Sequence, residues 1–244
     1  MNKLLLLALI GCVACDDPDP KPDDKPAETP RVLVFYKTTG FRHGSIPVAM
    51  QAIQQRSAAE NMVVDTTNNA GRFTTEGLKP YAAVVFLSTT GDVLNPTQQT
   101  AFEGYIRGGK GFVGIHAATD TEYDWPWYNG LVGAYFFGHP NIQRATVRVS
   151  NTTHASTSML PAAWVREDEW YNFRDLYPGL TVLATLDEST YSGGTMGATH
   201  PIAWYHAYDG GRAFYTAGGH TDESYAEPLF MQHVMGGIKY AVGK

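Results

Sequence analysis

Arg31-Val-Leu-Val-Phe-Tyr36, with the loop Lys37 to Gly44 and the stretch from Ser45 to about Asn61 behind it, decides the fold. A continuous apolar run of this length suits a strand buried on both faces, and a parallel sheet covered by helices is its natural home. Ser45 is placed to cap a helix, Pro47 falls in its first turn, and Ile46, Met50 and Ile53 make one apolar face. Strand, loop and helix are thereby established once.

The unit recurs. Met62 to Asp65 reads as a second strand, Phe73 to Pro80 as a helical turn, and Ala82 to Ser88 as a third strand ending in Thr89-Thr90-Gly91-Asp92. Asn95-Pro96 opens a helix through Arg107, with Phe102, Tyr105 and Ile106 inward and Gly108-Gly109 ending it. A fourth strand, Gly111 to Ile115, delivers His116. Alternating units of this kind predict an α/β fold: a single doubly wound, mostly parallel sheet of the flavodoxin-like type, with right-handed crossovers. From Asp120 the pattern loosens into an aromatic-rich insertion, Tyr123 to Phe137. Further strands are expected at Ala145 to Val149, Thr181 to Leu186, Ile202 to Tyr205 and Arg212 to Thr216, and a last helix from about Pro228 to Val242.

The 244 residues are 43% hydrophobic and 17% charged, which suits one domain large enough to bury a core, here Arg31 to Lys244. Residues 1–15 read as a lipoprotein signal peptide: Lys3, a leucine run too short to span a bilayer, and the lipobox-like Leu9-Ile10-Gly11-Cys12, with Cys15 as a second candidate for lipidation. The spacing favours Cys15, because cleavage at Cys12 leaves a very short leader. These are the only two cysteines, so the domain has neither a disulfide nor a thiol nucleophile. Residues 16–30, rich in Pro, Asp and Lys, read as a disordered acidic tether. Six acids against two lysines there carry most of the net charge of −6. The expectation is an exported, lipid-anchored protein of the bacterial envelope, periplasmic or surface facing, touching the membrane through its lipid only. No basic stripe or reading-helix motif suggests nucleic acid.

Five histidines sit at strand ends or strand-to-helix turns: His43, His116, His139, His200 and His220. A parallel sheet gathers such turns on one rim, and imidazole supplies acceptors, donors and metal ligands near neutral pH. Gly111-Phe-Val-Gly-Ile-His116-Ala-Ala-Thr-Asp120 occupies the strained elbow where some α/β enzymes hold a nucleophile. His116 should project into the cleft, with Asp120 able to orient it. Arg42 and His43 follow the first strand to the same rim, Arg42 suiting carboxylates or hydroxyl pairs and His43 proton transfer. His139 and His200 precede prolines, which steer them to extended backbone and fix the side-chain direction. Among Glu167, Asp168 and Glu169, the neighbouring Trp170 and Tyr171 single out Glu169 as a carboxyl turned inward, its pKa raised by apolar rings. Gly218 and Gly219 let the backbone around His220 approach a ligand closely. Trp125, Trp127 and Tyr128 can stack on sugar rings or lid the core, the core being the commoner fate. Gly104 to Gly111 echoes a phosphate-binding loop but lies in the reverse structural order, and no dinucleotide fingerprint follows the first strand.

These motifs, Gly40-Phe-Arg-His43, Ser88-Thr-Thr-Gly-Asp92, Gly114-Ile-His116-Ala-Ala-Thr-Asp120, Gly138-His139-Pro140, Asp168-Glu169-Trp-Tyr171, His200-Pro201 with Trp204, and Gly211-Arg-Ala-Phe-Tyr-Thr216 followed by Gly219-His220-Thr221, resemble the ThuA-like (trehalose utilisation) family. Members of that family resemble class I glutamine amidotransferases in fold. The resemblance covers essentially all of Arg31 to Lys244 and implies a role in the catabolism of disaccharides and their oxidised keto derivatives. Glutamine hydrolysis is not implied, because the turn that would carry a nucleophilic cysteine carries His116.

The expected catalytic set is therefore His116, His43, Glu169, His139 and His220, with His116 or His43 as base and Glu169 as acid. Arg42, Asp92, Asp120, Trp125, Tyr171 and His200 are the candidate substrate contacts, and the expected ligand is a small carbohydrate. No cofactor and no metal ligands are assigned. Two alternatives stand beside this enzyme: a divalent metal held among His43, His116, His139 and His220, which no HxH or HExxH spacing supports, and a non-catalytic carbohydrate-binding module serving partner sugar enzymes.

Overall fold

The computed structural model describes residues 29–244, so the leader, Cys12, Cys15 and nearly all of the tether lie outside the described residues. Among those described, no helix is long and apolar enough to cross a membrane.

The first unit forms as its sequence dictates. Strand β1 (Arg31–Phe35) is buried from Val32 onward, and helix α1 (Ile46–Ala59) follows with its proline in the first turn. Ser45 does not cap that helix through its side chain. Its hydroxyl is buried and donates to the carbonyl of Gly219, 3.1 Å away, tying the start of α1 to a loop 174 residues later. Then come β2 (Val63–Thr67), the single turn α2 (Thr75–Leu78), β3 (Ala83–Leu87), α3 (Pro96–Arg107) and β4 (Gly111–Ile115). Asn95 caps α3 through a full capping box with Gln98.

The aromatic insertion resolves into α4 (Pro126–Val132), closed by Gly133 in the left-handed conformation, and the short β5 (Tyr135–Gly138). The chain continues through β6 (Gln143–Val149), β7 (Ala163–Asp168), β8 (Asn172–Arg174), β9 (Thr181–Asp187), β10 (Pro201–Tyr208), β11 (Gly211–Thr216), α5 (Asp222–Ala226) and α6 (Pro228–Val242).

Nine strands form one sheet in the order β2-β1-β3-β4-β11-β10-β9-β6-β7, and β5 pairs with β8 in a separate ribbon. The half from β2 to β11 is parallel, and β10, β9, β6 and β7 extend it with antiparallel pairings. The doubly wound expectation thus holds for five strands. The antiparallel extension escaped it because β10 and β11 are joined by a tight hairpin rather than a crossover helix. α1, α5 and α6 pack together on one face of the parallel half. The other carries an aromatic layer, in which Phe86 touches Phe35, Phe73, Phe102, Phe112 and Tyr128.

On the α6 face, His233 is buried among Phe214, Phe230 and Trp164, with Nδ1 donating to the Ser156 carbonyl at 2.9 Å. Burial disfavours its charged form and lowers its pKa from 6.5 to about 4. Between those values the unfolded chain binds the proton and the folded chain does not, so this residue's contribution is complete above about pH 6.5 and is lost as the pH falls toward 4. We expect urea unfolding of wild type and His233→Leu to show it: the variant's stability falls less steeply across this window, by up to about 1.4 kcal/mol per pH unit. Parallel curves would mean that His233 is not held neutral by burial.

Candidate functional site

The carboxyl ends of β1, β4 and β11 open onto one rim, where ligands bind in open α/β sheets. His43 comes from the loop after β1, His116 from the turn ending β4, and His220 from the loop after β11. His116 sits at φ +51°, and Ser88, at the end of the neighbouring β3, at φ +46°. Left-handed backbone at a residue bearing a Cβ costs on the order of 1 kcal/mol. The elbow read from the sequence is present, and it aims imidazole inward.

The orientation of His116 follows from its partners. Its Nδ1 lies 2.7 Å from the carbonyl of Ala217, which only accepts, so Nδ1 carries the proton. Its Nε2 is then turned to the centre, 3.1 Å from His43 Nε2, 3.3 Å from His220 Nδ1 and 3.5 Å from Glu169 Oε2. His220 Nδ1 is 3.0 Å from the same carboxylate oxygen. The other oxygen, Glu169 Oε1, takes His139 Nδ1 at 3.1 Å. Tyr171 lies against the His116 ring, with centroids 4.4 Å apart, and stacks on His139 at 5.9 Å. Four of the five singled-out histidines and one carboxylate therefore share one centre.

The electrostatics follow from this crowding. Burial works to raise the Glu169 pKa, but the imidazoles of His116 and His220 beside it favour the charged carboxylate, outweigh burial and hold it well below its usual range. That is opposite to the raised value expected from its aromatic neighbours, and it unsuits Glu169 for a general acid. Bonding to Glu169 raises His220 against the pull of burial. His43 moves the other way: burial first, then the neighbouring His116 and His220, lower it to about 3, and its Nδ1 is buried without a partner.

A second layer holds the centre. Asp168, wholly buried, accepts from the backbone N–H of Gly219 at 2.8 Å and of His220 at 3.0 Å, from the Ser224 hydroxyl at 2.9 Å, and from Arg166 at 2.9 Å. Arg166 is buried in turn, bonded to Ser224 and Glu227 and packed on Trp164 and Phe230. The paired glycines serve this layer rather than a ligand. A Cβ on Gly218 would strike Arg166, and Gly219, at φ +113°, clears the Tyr225 hydroxyl. The sequence alone does not single out the roles of Asp168 and Arg166, because nothing in it marks β7 as a strand. Its inward residues, Trp164, Arg166 and Asp168, alternate correctly but two of them are charged.

The remaining candidates lie elsewhere. His200 is fully buried between Glu188, Tyr191 and the Tyr171 carbonyl, a structural imidazole. Asp120 accepts from Tyr123 at 2.6 Å, and the Ala217 carbonyl orients His116 in its place. Trp125 is buried, stacked on Trp127 and bonded to Glu103, which makes it core. Arg42 is exposed, with its guanidinium 5.9 Å from the Tyr36 ring centre. Asp92 lines a separate polar hollow with Lys37, Asn69 and Gln98. Another hollow, between α2 and α3, contains none of the site residues.

The family model of ThuA, trehalose utilisation, matches residues 31–241. The chain belongs to the ThuA family. No curated protein is similar enough to match. Among solved structures, a ThuA-like protein from Bacteroides uniformis is 23% identical with a TM-score of 0.71, covering 91% of this chain and 96% of that one. A ThuA-like protein from Parabacteroides merdae is 18% identical, also with a TM-score of 0.71, covering 89% and 91%. A β-galactosidase from Bacillus circulans is similar at 12% identity and a TM-score of 0.58 over 87% of this chain but 31% of its own. At these identities the likeness is one of fold. This ThuA-family chain thus joins a parallel half and an antiparallel extension, and each side contributes residues to the centre.

Two outcomes are expected in urea unfolding. His116→Gly should be more stable than His116→Ala by roughly 1 kcal/mol, since only glycine takes the left-handed turn without cost; equal stability would remove the strain. Asp168→Ala, which leaves Arg166 with Glu227 alone as a charge partner and the Gly219 and His220 amides without their acceptor, should cost about 3–5 kcal/mol, and a loss below about 1 would show that the carboxylate does not hold the layer together.

Proposed function

We propose that this ThuA-family chain is an enzyme of carbohydrate catabolism that transfers a proton at a sugar carbon or glycosidic oxygen, with the imidazole and carboxylate cluster at the sheet's rim as its reaction centre. The observation that carries this reading is the convergence of His116, His139 and His220 on the single carboxylate of Glu169, with His43 against His116. The family's link to trehalose utilisation supports a saccharide as substrate.

His139 is the best-placed proton carrier. Its side chain is 41% exposed whereas that of His116 is wholly covered, so it meets an entering ligand first. Its Nδ1 is held by Glu169 Oε1 at 3.1 Å and the Pro140 carbonyl at 3.0 Å, both acceptors, which leaves Nε2 to take or give a proton. A base oriented by a carboxylate is the arrangement that proton-transfer chemistry uses. Phe41 and Phe137, 65% and 67% exposed on the segments that deliver His43 and His139, offer apolar faces for the C–H side of a sugar ring. The leader and its cysteines support a location in the cell envelope.

Incubating the purified chain with native and 3-oxidised disaccharides, with products followed by mass spectrometry, tests this. Turnover of at least one of them is expected, and His139→Ala should lower kcat by roughly 100-fold or more with the fold intact. Saccharide binding with no product over long incubation would contradict the proposal and make the chain a binding module.

A further inference from the structure

We propose that His43, His116, His220 and Glu169 form the binding site of one divalent first-row transition-metal ion. This rests on the reading of the same cluster as the reaction centre and adds what would hold a substrate oxygen there.

The distances carry the argument. One potential ligand atom from each of the four residues lies within 4.8 Å of the other three. Four of the separations are 3.0, 3.1, 3.3 and 3.5 Å. Donor atoms about 2.0–2.1 Å from a tetrahedral metal stand about 3.3 Å apart, so these separations are edges of such a polyhedron. Hydrogen bonding alone does not account for the crowding. With Nδ1 committed to Ala217, the neutral His116 ring has one in-plane lone pair at Nε2, and a single hydrogen bond satisfies it, yet three polar atoms lie within 3.5 Å. Its Nε2 and Glu169 Oε2 face each other with lone pairs. A cation between them satisfies all four groups at once.

The surroundings are those of a metal site. A ligating histidine typically donates its other ring N–H to a carbonyl or carboxylate, as His116 does to Ala217. The Asp168 bonds to the Gly219 and His220 amides fix the loop that presents His220. Three imidazoles and one carboxylate suit zinc, cobalt, nickel or iron, whereas magnesium and calcium favour all-oxygen shells. His139 stands outside the set, bonded to the other carboxylate oxygen, and so keeps its proton-carrying role. Bound there, the ion would polarise a sugar hydroxyl or carbonyl oxygen as a Lewis acid.

The test uses the full chain purified without an affinity tag, stripped with a chelator and titrated with cobalt(II) and with zinc(II). One equivalent is expected, with cobalt giving the visible bands of a low-symmetry four- or five-coordinate site. His116→Ala, His220→Ala and Glu169→Gln should each weaken binding by more than about 100-fold, beyond the loss that follows removal of an outer-shell partner. His139→Ala, which removes only an outer-shell partner of Glu169, should weaken binding by no more than about 10–100-fold. Absence of saturable binding by the wild-type chain, which needs no variant to fold, overturns the proposal, as does binding that His116→Ala leaves unchanged. Metal bound without turnover of any saccharide supports this site and removes the carbohydrate reading. Saccharide turnover by stripped protein in excess chelator removes the metal and leaves the carbohydrate reading standing.

Discussion

The site depends on the carboxylate of Asp168. Strand β7 is the far edge of the sheet, four places from β11, and neighbouring strands stand about 4.8 Å apart, so in a flat sheet the two would be roughly 19 Å from each other. Asp168 at the end of β7 nevertheless bonds the Gly219 and His220 amides just beyond β11, at 2.8 and 3.0 Å. The antiparallel extension therefore curls back over the rim of the parallel half, in the sense that strand twist allows. Charge closes the seam. A wholly buried carboxylate is costly unless paired, and Arg166 with four further donors satisfies it, so the network is stable only when both halves are in register.

That seam explains why the centre combines residues 177 positions apart, from His43 to His220. The parallel half supplies His43, His116 and His220 through the turns that end β1, β4 and β11, and the chain beside β7 and β5 supplies Glu169 and His139. The parallel half thus brings three imidazoles and the extension side the carboxylate. The left-handed turn at His116 is part of the same device, because it points the ring at the seam instead of along the strand.

Much of this was legible in the sequence. The continuous apolar runs at Val32, Ala83 and Gly111 gave the parallel half nearly residue by residue, since strands buried on both faces leave no other pattern. The motifs around His43, His116 and His220 mark their donors because turns after such strands meet at one rim, whereas His139 reaches the centre from the β5–β8 ribbon. What stayed hidden is instructive. β7 buries Arg166 and Asp168, whose charges mask the period-two alternation that marks a strand, so the structural role of Asp168 was not seen. His200 looks like its neighbour before proline, yet its three partners lie 9, 12 and 29 residues away and only the fold collects them. Trp125 showed the converse: an aromatic in a glycine-rich insertion is ambiguous until packing on Trp127 settles it as core.

The proposed metal site requires that imidazoles distant in sequence meet the Glu169 carboxylate at one point, around a single cation. Diffraction from crystals of the full chain grown with cobalt(II), recorded at the cobalt absorption edge, tests it most directly. One strong anomalous peak is predicted, bonded to His43, His116, His220 and Glu169 with His139 outside the coordination shell. Side chains of His43 and His220 turned away from His116, with no peak between them, would contradict it.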